Sequence, residues 1–181
     1  MYRKNSGTLV FVVTPPPVPK NMKRTLFVGQ AMPRVKRNPH DWPTLNKWLY
    51  TIALNDELIR KHFLYSALVD YFPGAKNGSH LIPTKEEILN ERGRLQQTIK
   101  DFSPEIVVPI GRMSIACCLG KMVEPLGENI GKQFFVDPYQ LFGKPILVIP
   151  LPHPSGASTW RYRPEGKKLI PLALDLLRNN L

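Results

Sequence analysis

Leu26-Phe-Val-Gly-Gln-Ala-Met-Pro33 is a short apolar run closed by a glycine and a proline. Three further runs share that form: Phe63 to Val69, Ile106 to Ile110 and Ile146 to Leu151. Each is mostly apolar and bounded by breakers, the pattern of strands buried on both faces of a parallel sheet. Between them the spacing predicts helices over Thr44 to Asn55, Lys85 to Phe102 and Met113 to Leu119, with a last one over Gly166 to Asn179. Strands alternating with helices give an α/β fold of three layers, α/β/α, around a central four-stranded parallel sheet. The helix from Lys85 carries the clearest start signal. Thr84 and Glu87 are spaced as a capping box, and Ile88, Leu95, Ile99 and Phe102 recur on one face.

The chain has 181 residues, which suits one domain that needs neither disulfides nor metals to hold its core. That domain is expected over residues 25–181. Residues 1–24 form a basic, proline-rich arm, in which Leu9 to Val13 could add an edge strand and Pro15 to Pro19 should be extended polyproline II. No apolar run approaches the roughly 20 residues that cross a bilayer, and Leu9 to Val13 falls short of the about 7 to 15 residues of a signal-peptide core. The expectation is a cytoplasmic monomer without membrane contact. Its two cysteines, Cys117 and Cys118, are adjacent, so neither a disulfide framework nor a metal knuckle is expected. Nineteen prolines exclude a simple helical bundle. Lys and Arg number 25 against 14 Asp and Glu, a net charge of +11 that favours a polyanionic partner, nucleic acid first. Neither phosphate-loop pattern, Gly-x-x-x-x-Gly-Lys-[Ser/Thr] nor Gly-x-Gly-x-x-Gly, occurs, which argues against a nucleotide-binding protein.

Ligands of open parallel sheets sit beyond the carboxyl ends of the strands. The segments there are Gly29-Gln-Ala-Met-Pro33, Asp70-Tyr-Phe-Pro-Gly74, Gly111-Arg-Met113 and Pro152-His-Pro-Ser-Gly156. Flanking prolines hold the backbone of His153, so its imidazole is either a preorganised donor to a developing charge or a structural histidine at the last helix. Gly29 lets a ligand approach the backbone closely, and Gln30 supplies an amide.

Taken together, Phe27-Val-Gly-Gln-Ala-Met-Pro33 and Leu151-Pro-His-Pro-Ser-Gly-Ala-Ser158 resemble the two active-site motifs of the uracil-DNA glycosylase superfamily. Ser103 to Gly120 is similar to its third-strand segment and Pro83 to Ile88 to the preceding helix start, so the likeness covers about residues 25 to 175. It is nearest the bacterial and archaeal branch, whose other members often carry an iron–sulfur cluster. The resemblance implies a monofunctional DNA glycosylase that flips a damaged or modified base and hydrolyses its N-glycosidic bond; a binding module that keeps the fold without the chemistry is the alternative. By the same resemblance His153 would stabilise the departing base anion, and Gly29, Gln30 and Ala31 would line the pocket. Ser155 and Ser158 would hold phosphates, and the loop from Gly156 to Trp160 would enter the duplex. Trp42 would either stack on the base or anchor the following helix. Arg161, Arg163, Lys167 and Lys168 on one side and Arg34, Lys36 and Arg37 on the other would flank one mouth.

The departures from that family are as informative. Many relatives place an acid in the first motif, where this chain has Gln30, Ala31 and Met32. Asp41, with His40 and Asp70 behind it, is therefore the candidate to activate water. Ser66 falls at or near the place where many relatives read the base with Asn, which implies a changed hydrogen-bond code and a modified or hypermodified pyrimidine as well as uracil. Two adjacent cysteines cannot supply four ligands, so no cofactor or metal is expected.

Overall fold

The structure is a computed structural model that describes residues 21–34, 42–76, 79–121, 123–155 and 158–181. The arm up to residue 20, with the Leu9 to Val13 strand and the Pro15 to Pro19 run, lies outside the described residues, as do Lys36, Arg37, His40, Asp41 and Gly156.

Strands β1 (Thr25–Ala31), β2 (Phe63–Val69), β5 (Ile106–Pro109) and β7 (Ile146–Val148) are all parallel, as the four apolar runs require. A fifth strand, β6 (Phe134–Val136), extends the sheet antiparallel to β7, so the order is β2-β1-β5-β7-β6. The four-stranded expectation omitted β6 because three residues with Phe135 exposed carry no buried-strand signature. Period two is visible in the core itself. Phe27, Tyr65, Ala67, Ile106 and Val108 turn to one face, where α1 (Pro43–Thr51), α2 (Asp56–His62) and α6 (Pro164–Asn180) supply Leu45, Leu49, Ile59, Leu174 and Leu177. Leu26, Val28, Leu68 and Val107 turn to the other, against Leu95 and Ile99 of α4 (Arg92–Phe102) and Cys118 of α5 (Gly111–Leu119).

Two expected helices are each divided. The run from Thr44 breaks at Ala53, whose φ of 63° no helix tolerates, and Asn55 caps a separate α2 by accepting from the Leu58 amide. The run from Lys85 splits into α3 (Lys85–Asn90) and α4 at Glu91, while the Thr84–Glu87 capping box forms as expected. Between β2 and α3 the chain also makes a small hairpin, β3 (Ala75–Lys76) with β4 (Ser79–His80).

From β1 the chain passes to β2 on one side and then across to β5 on the other. The sheet therefore reverses its direction of travel at β1, and the crevice beyond the ends of β1 and β5 is where an open α/β sheet binds its ligand.

Candidate active site

Past the end of β5, Ile110 bridges to Leu151 and the Gly111 amide donates to the Leu151 carbonyl at 2.9 Å. This pairing carries the β5–β7 contact just far enough to set Gly111 beside His153. Gly111 has φ +80°, and a Cβ there would lie 3.4 Å from that of His153. A side chain would thus be strained in conformation while only touching the imidazole, so it is the backbone turn at the start of α5, beside the histidine, that calls for glycine.

The imidazole is mostly buried, and its Nδ1 accepts from the Ser155 amide at 3.1 Å. An accepting Nδ1 carries no proton, which leaves the ring proton on Nε2 as a donor. Burial pushes the His153 pKa below the ordinary histidine value, and the nearby charge of His80 pushes it further the same way. At neutral pH the site therefore presents a neutral imidazole with one N–H to give.

His153 opens on a cavity of about 1250 Å³. Gln30, Ala31 and Arg34 from the end of β1, Trp42 ahead of α1, and Ser155 and Ser158 after the histidine share its wall. Thus the two outlying motifs meet, as their positions on parallel strands demand. Trp42 stands edge-on to His153 with ring centroids 5.7 Å apart, and its other side leans on Tyr65 at 5.6 Å. Trp42 both lines the cavity and anchors α1, so its two readings are not exclusive. Arg34 and Arg163 are exposed at the rim.

Four residues of the expected site are placed otherwise. Ser66 lies on the opposite face of β2 from the cavity, where Arg94 donates to its hydroxyl at 3.2 Å. Period two decides this: neighbours on a strand cannot share a face, and Tyr65 and Ala67 hold the cavity side. Arg161 does not reach the wall; it donates to the Thr44 hydroxyl at 3.0 Å and lies over the Tyr162 ring, tying the turn before α6 to α1. Trp160 does line the cavity but is only 8% exposed, and its indole N–H donates to Glu165. Gly29 is buried beneath the wall, paired with Ala67, and the space a Cβ would need is taken by the Tyr65 hydroxyl.

The Asp70-Tyr-Phe-Pro-Gly74 segment does reach the cavity through Phe72 and Pro73, but the sequence reading missed His80, Leu81 and Ile82, which follow the β3–β4 turn and face the same cavity. The signal was slight: His80 sits in a stretch between Gly74 and Pro83 with no sustained periodicity.

The family model of the uracil DNA glycosylase superfamily matches residues 8–178 of the chain. The chain belongs to the uracil DNA glycosylase superfamily. No curated protein matches it. Membership gives a DNA glycosylase-type function in its broad form, since the superfamily acts on DNA and generally hydrolyses N-glycosyl bonds.

The iron–sulfur cluster of the resembling branch does not fit this superfamily member. Cys117 and Cys118 are neighbours on α5, and burial pushes the Cys118 thiol up to about 12, against Tyr139. Among the described residues, no group of three or more His, Cys, Asp or Glu could hold a metal ion. No helix among them is long and apolar enough to cross a membrane.

Proposed function

We propose that the chain is a monofunctional DNA glycosylase that removes a flipped pyrimidine, uracil or a base with a larger substituent, and leaves an abasic site. The observation that carries this reading is His153, whose Nδ1 is held by the Ser155 amide so that the ring proton sits on Nε2, beside Gln30 and Trp42 in one cavity.

Charge develops in two places as the C1′–N bond breaks. The sugar becomes cationic and the departing base anionic. A neutral imidazole donating from Nε2 stabilises the anion without burying a cation, and because its Nδ1 is already engaged it needs no reorganisation at that moment. Trp42 offers a ring to the base plane, and stacking of this kind contributes about 1 to 3 kcal/mol per base. Gln30 is the amide available to the base edge, in place of a side chain from β2. Arg34 and Arg163, which also line the cavity, hold phosphates and offset the cost of extruding the nucleotide.

No lysine lines the cavity among the described residues, which favours water over an amine as the nucleophile. Glu124, a carboxylate of the wall, is held by Arg112 at 2.6 Å. We therefore keep Asp41 as the acceptor of the water proton.

The test is a panel of oligonucleotides and genomic DNAs carrying uracil, hypoxanthine, and oxidised and hypermodified pyrimidines, assayed for alkali-labile abasic sites. Product from one substrate that vanishes in His153→Ala supports the enzyme. Binding without product on every substrate leaves a module that has kept the fold and lost the chemistry, a reading favoured by the absence of an acid from Gln30-Ala-Met32.

A further inference from the structure

We propose that Leu81 and Ile82, on the hairpin side of the cavity, form the apolar wedge that fills the gap left in the duplex when the nucleotide is extruded. The inference rests on the chain acting on flipped bases, and it moves the duplex-entering element from the loop after His153 to the hairpin wall.

A flipped base leaves a hole in the stack, and proteins that distort DNA commonly push an apolar side chain between base steps. On the His153 side that role has no occupant. The segment after the histidine is Pro154-Ser-Gly-Ala-Ser158, whose one sizeable apolar residue, Pro154, is buried. The next large side chain, Trp160, is buried and engaged with Glu165, and Arg161 is committed to Thr44.

On the hairpin wall the situation is reversed. Ile82 is 63% exposed and Leu81 42%, both at the wall. Exposed branched side chains at a site rimmed by Arg34 and Arg163 meet only water, but stacked bases supply an apolar partner beside the phosphates that the arginines attract.

The backbone also presents them firmly. His80 packs edge-on against Phe72 at 5.0 Å, and the Leu81 amide donates to the Gly74 carbonyl at 3.0 Å. Pro83 is buried, and Thr84 is locked in the capping box of α3. Ile82 is thus held between an anchored residue on one side and a buried proline and helix cap on the other. Such a segment enters a duplex without first paying an ordering cost.

Two measurements test the assignment with Leu81→Ala/Ile82→Ala and with Ile82→Phe. The first is fluorescence of 2-aminopurine placed beside uracil or a 5-substituted pyrimidine in duplex DNA, which rises on unstacking and needs no bond cleavage. The second is single-turnover excision from duplex and from single strand. The wild type and Ile82→Phe are expected to give the fluorescence rise, and the double alanine variant to lose it. Where excision occurs, the double variant should be about tenfold or more slower on duplex and unchanged on single strand, which has no stack to fill. Equal fluorescence for wild type and double variant, equal loss on both strand forms, or no rise with the wild type on any duplex would overturn the wedge. A fluorescence rise without product on any substrate supports the wedge while overturning the enzyme. Both side chains are exposed, so an unchanged thermal midpoint is expected for each variant.

Discussion

Trp42 stands edge-on to His153, with ring centroids 5.7 Å apart and planes at 71°, while the same indole leans on Tyr65 at 42°. One ring therefore braces the imidazole, covers β2 and leads into α1. Among the described residues its buried indole nitrogen has no hydrogen-bond partner. Trp42→Phe consequently forfeits no hydrogen bond and should lower stability by about 1 kcal/mol or less, with excision retained in part. Trp42→Ala leaves a hole beside the histidine and should cost about 2 to 3 kcal/mol, with excision lost at temperatures where the variant is still folded. Thermal unfolding and single-turnover assays on the two variants check this split.

The lowered pKa of His153 has a definite sign. Its folded pKa lies below the unfolded value of about 6.5, so the unfolded chain takes up the proton first as pH falls. The contribution to stability is complete above about 6.5 and is lost as pH drops towards the folded value. Activity should follow the same limb, because protonation puts a hydrogen on Nδ1 and ends its bond from the Ser155 amide. His80→Gln removes the second of the two causes and should move the His153 titration upward. Imidazole NMR shifts against pH, in the parent and in His80→Gln, would show it; an unmoved titration would refute the coupling.

How much of this was legible in the chain depended on range. The strands were readable because burial on both faces demands a mostly apolar run, and Phe63 to Val69 shows one broken only by Ser66. The Gly29 and His153 motifs could be assigned to one site because parallel strands bring their carboxyl ends together. Facing was harder. Ser66 was expected in the pocket, yet a shift of one residue along β2 reverses the side, and only the register Gly29 with Ala67 fixes which side is which. The roles of Arg161 and Trp160 depended on partners far away or newly oriented, Thr44 and Glu165, that no local pattern announces. Hairpin β3–β4 escaped because two-residue strands have no period to detect.

Gly29 gives a prediction of another kind. A methyl at that position overlaps the Tyr65 hydroxyl, and its ring carbon beyond lies at 3.1 Å. Tyr65 is itself buried, its phenol pKa raised by that burial, and it supports Trp42 from below. Gly29→Ala should therefore destabilise the fold by roughly 1–3 kcal/mol through overpacking and disturb the Trp42–His153 pair. Adding Tyr65→Phe removes the clashing oxygen but leaves the ring, so about half of the loss should return. Chemical denaturation of both single variants and the double variant closes the cycle, and strict additivity would refute the contact.

Arg161 and Arg163 are two residues apart and should behave as different kinds of residue. Arg161 is partly buried, donates to Thr44 and covers the Tyr162 ring, so its charge is spent inside the protein. Arg163 is exposed on the cavity rim at the start of α6. Arg163→Ala should weaken binding to duplexes of every sequence alike and reduce the slope of log affinity against log salt by about 1, with the thermal midpoint unmoved. Arg161→Ala should do the converse. It leaves the salt slope nearly intact, because no phosphate contact is lost. It lowers stability by about 1 to 2 kcal/mol, because α1 loses its tie to the turn that precedes α6. Salt titrations by fluorescence anisotropy, run beside thermal melts, separate the two. A salt slope that falls in Arg161→Ala as far as in Arg163→Ala would mean that Arg161 leaves Thr44 when DNA arrives.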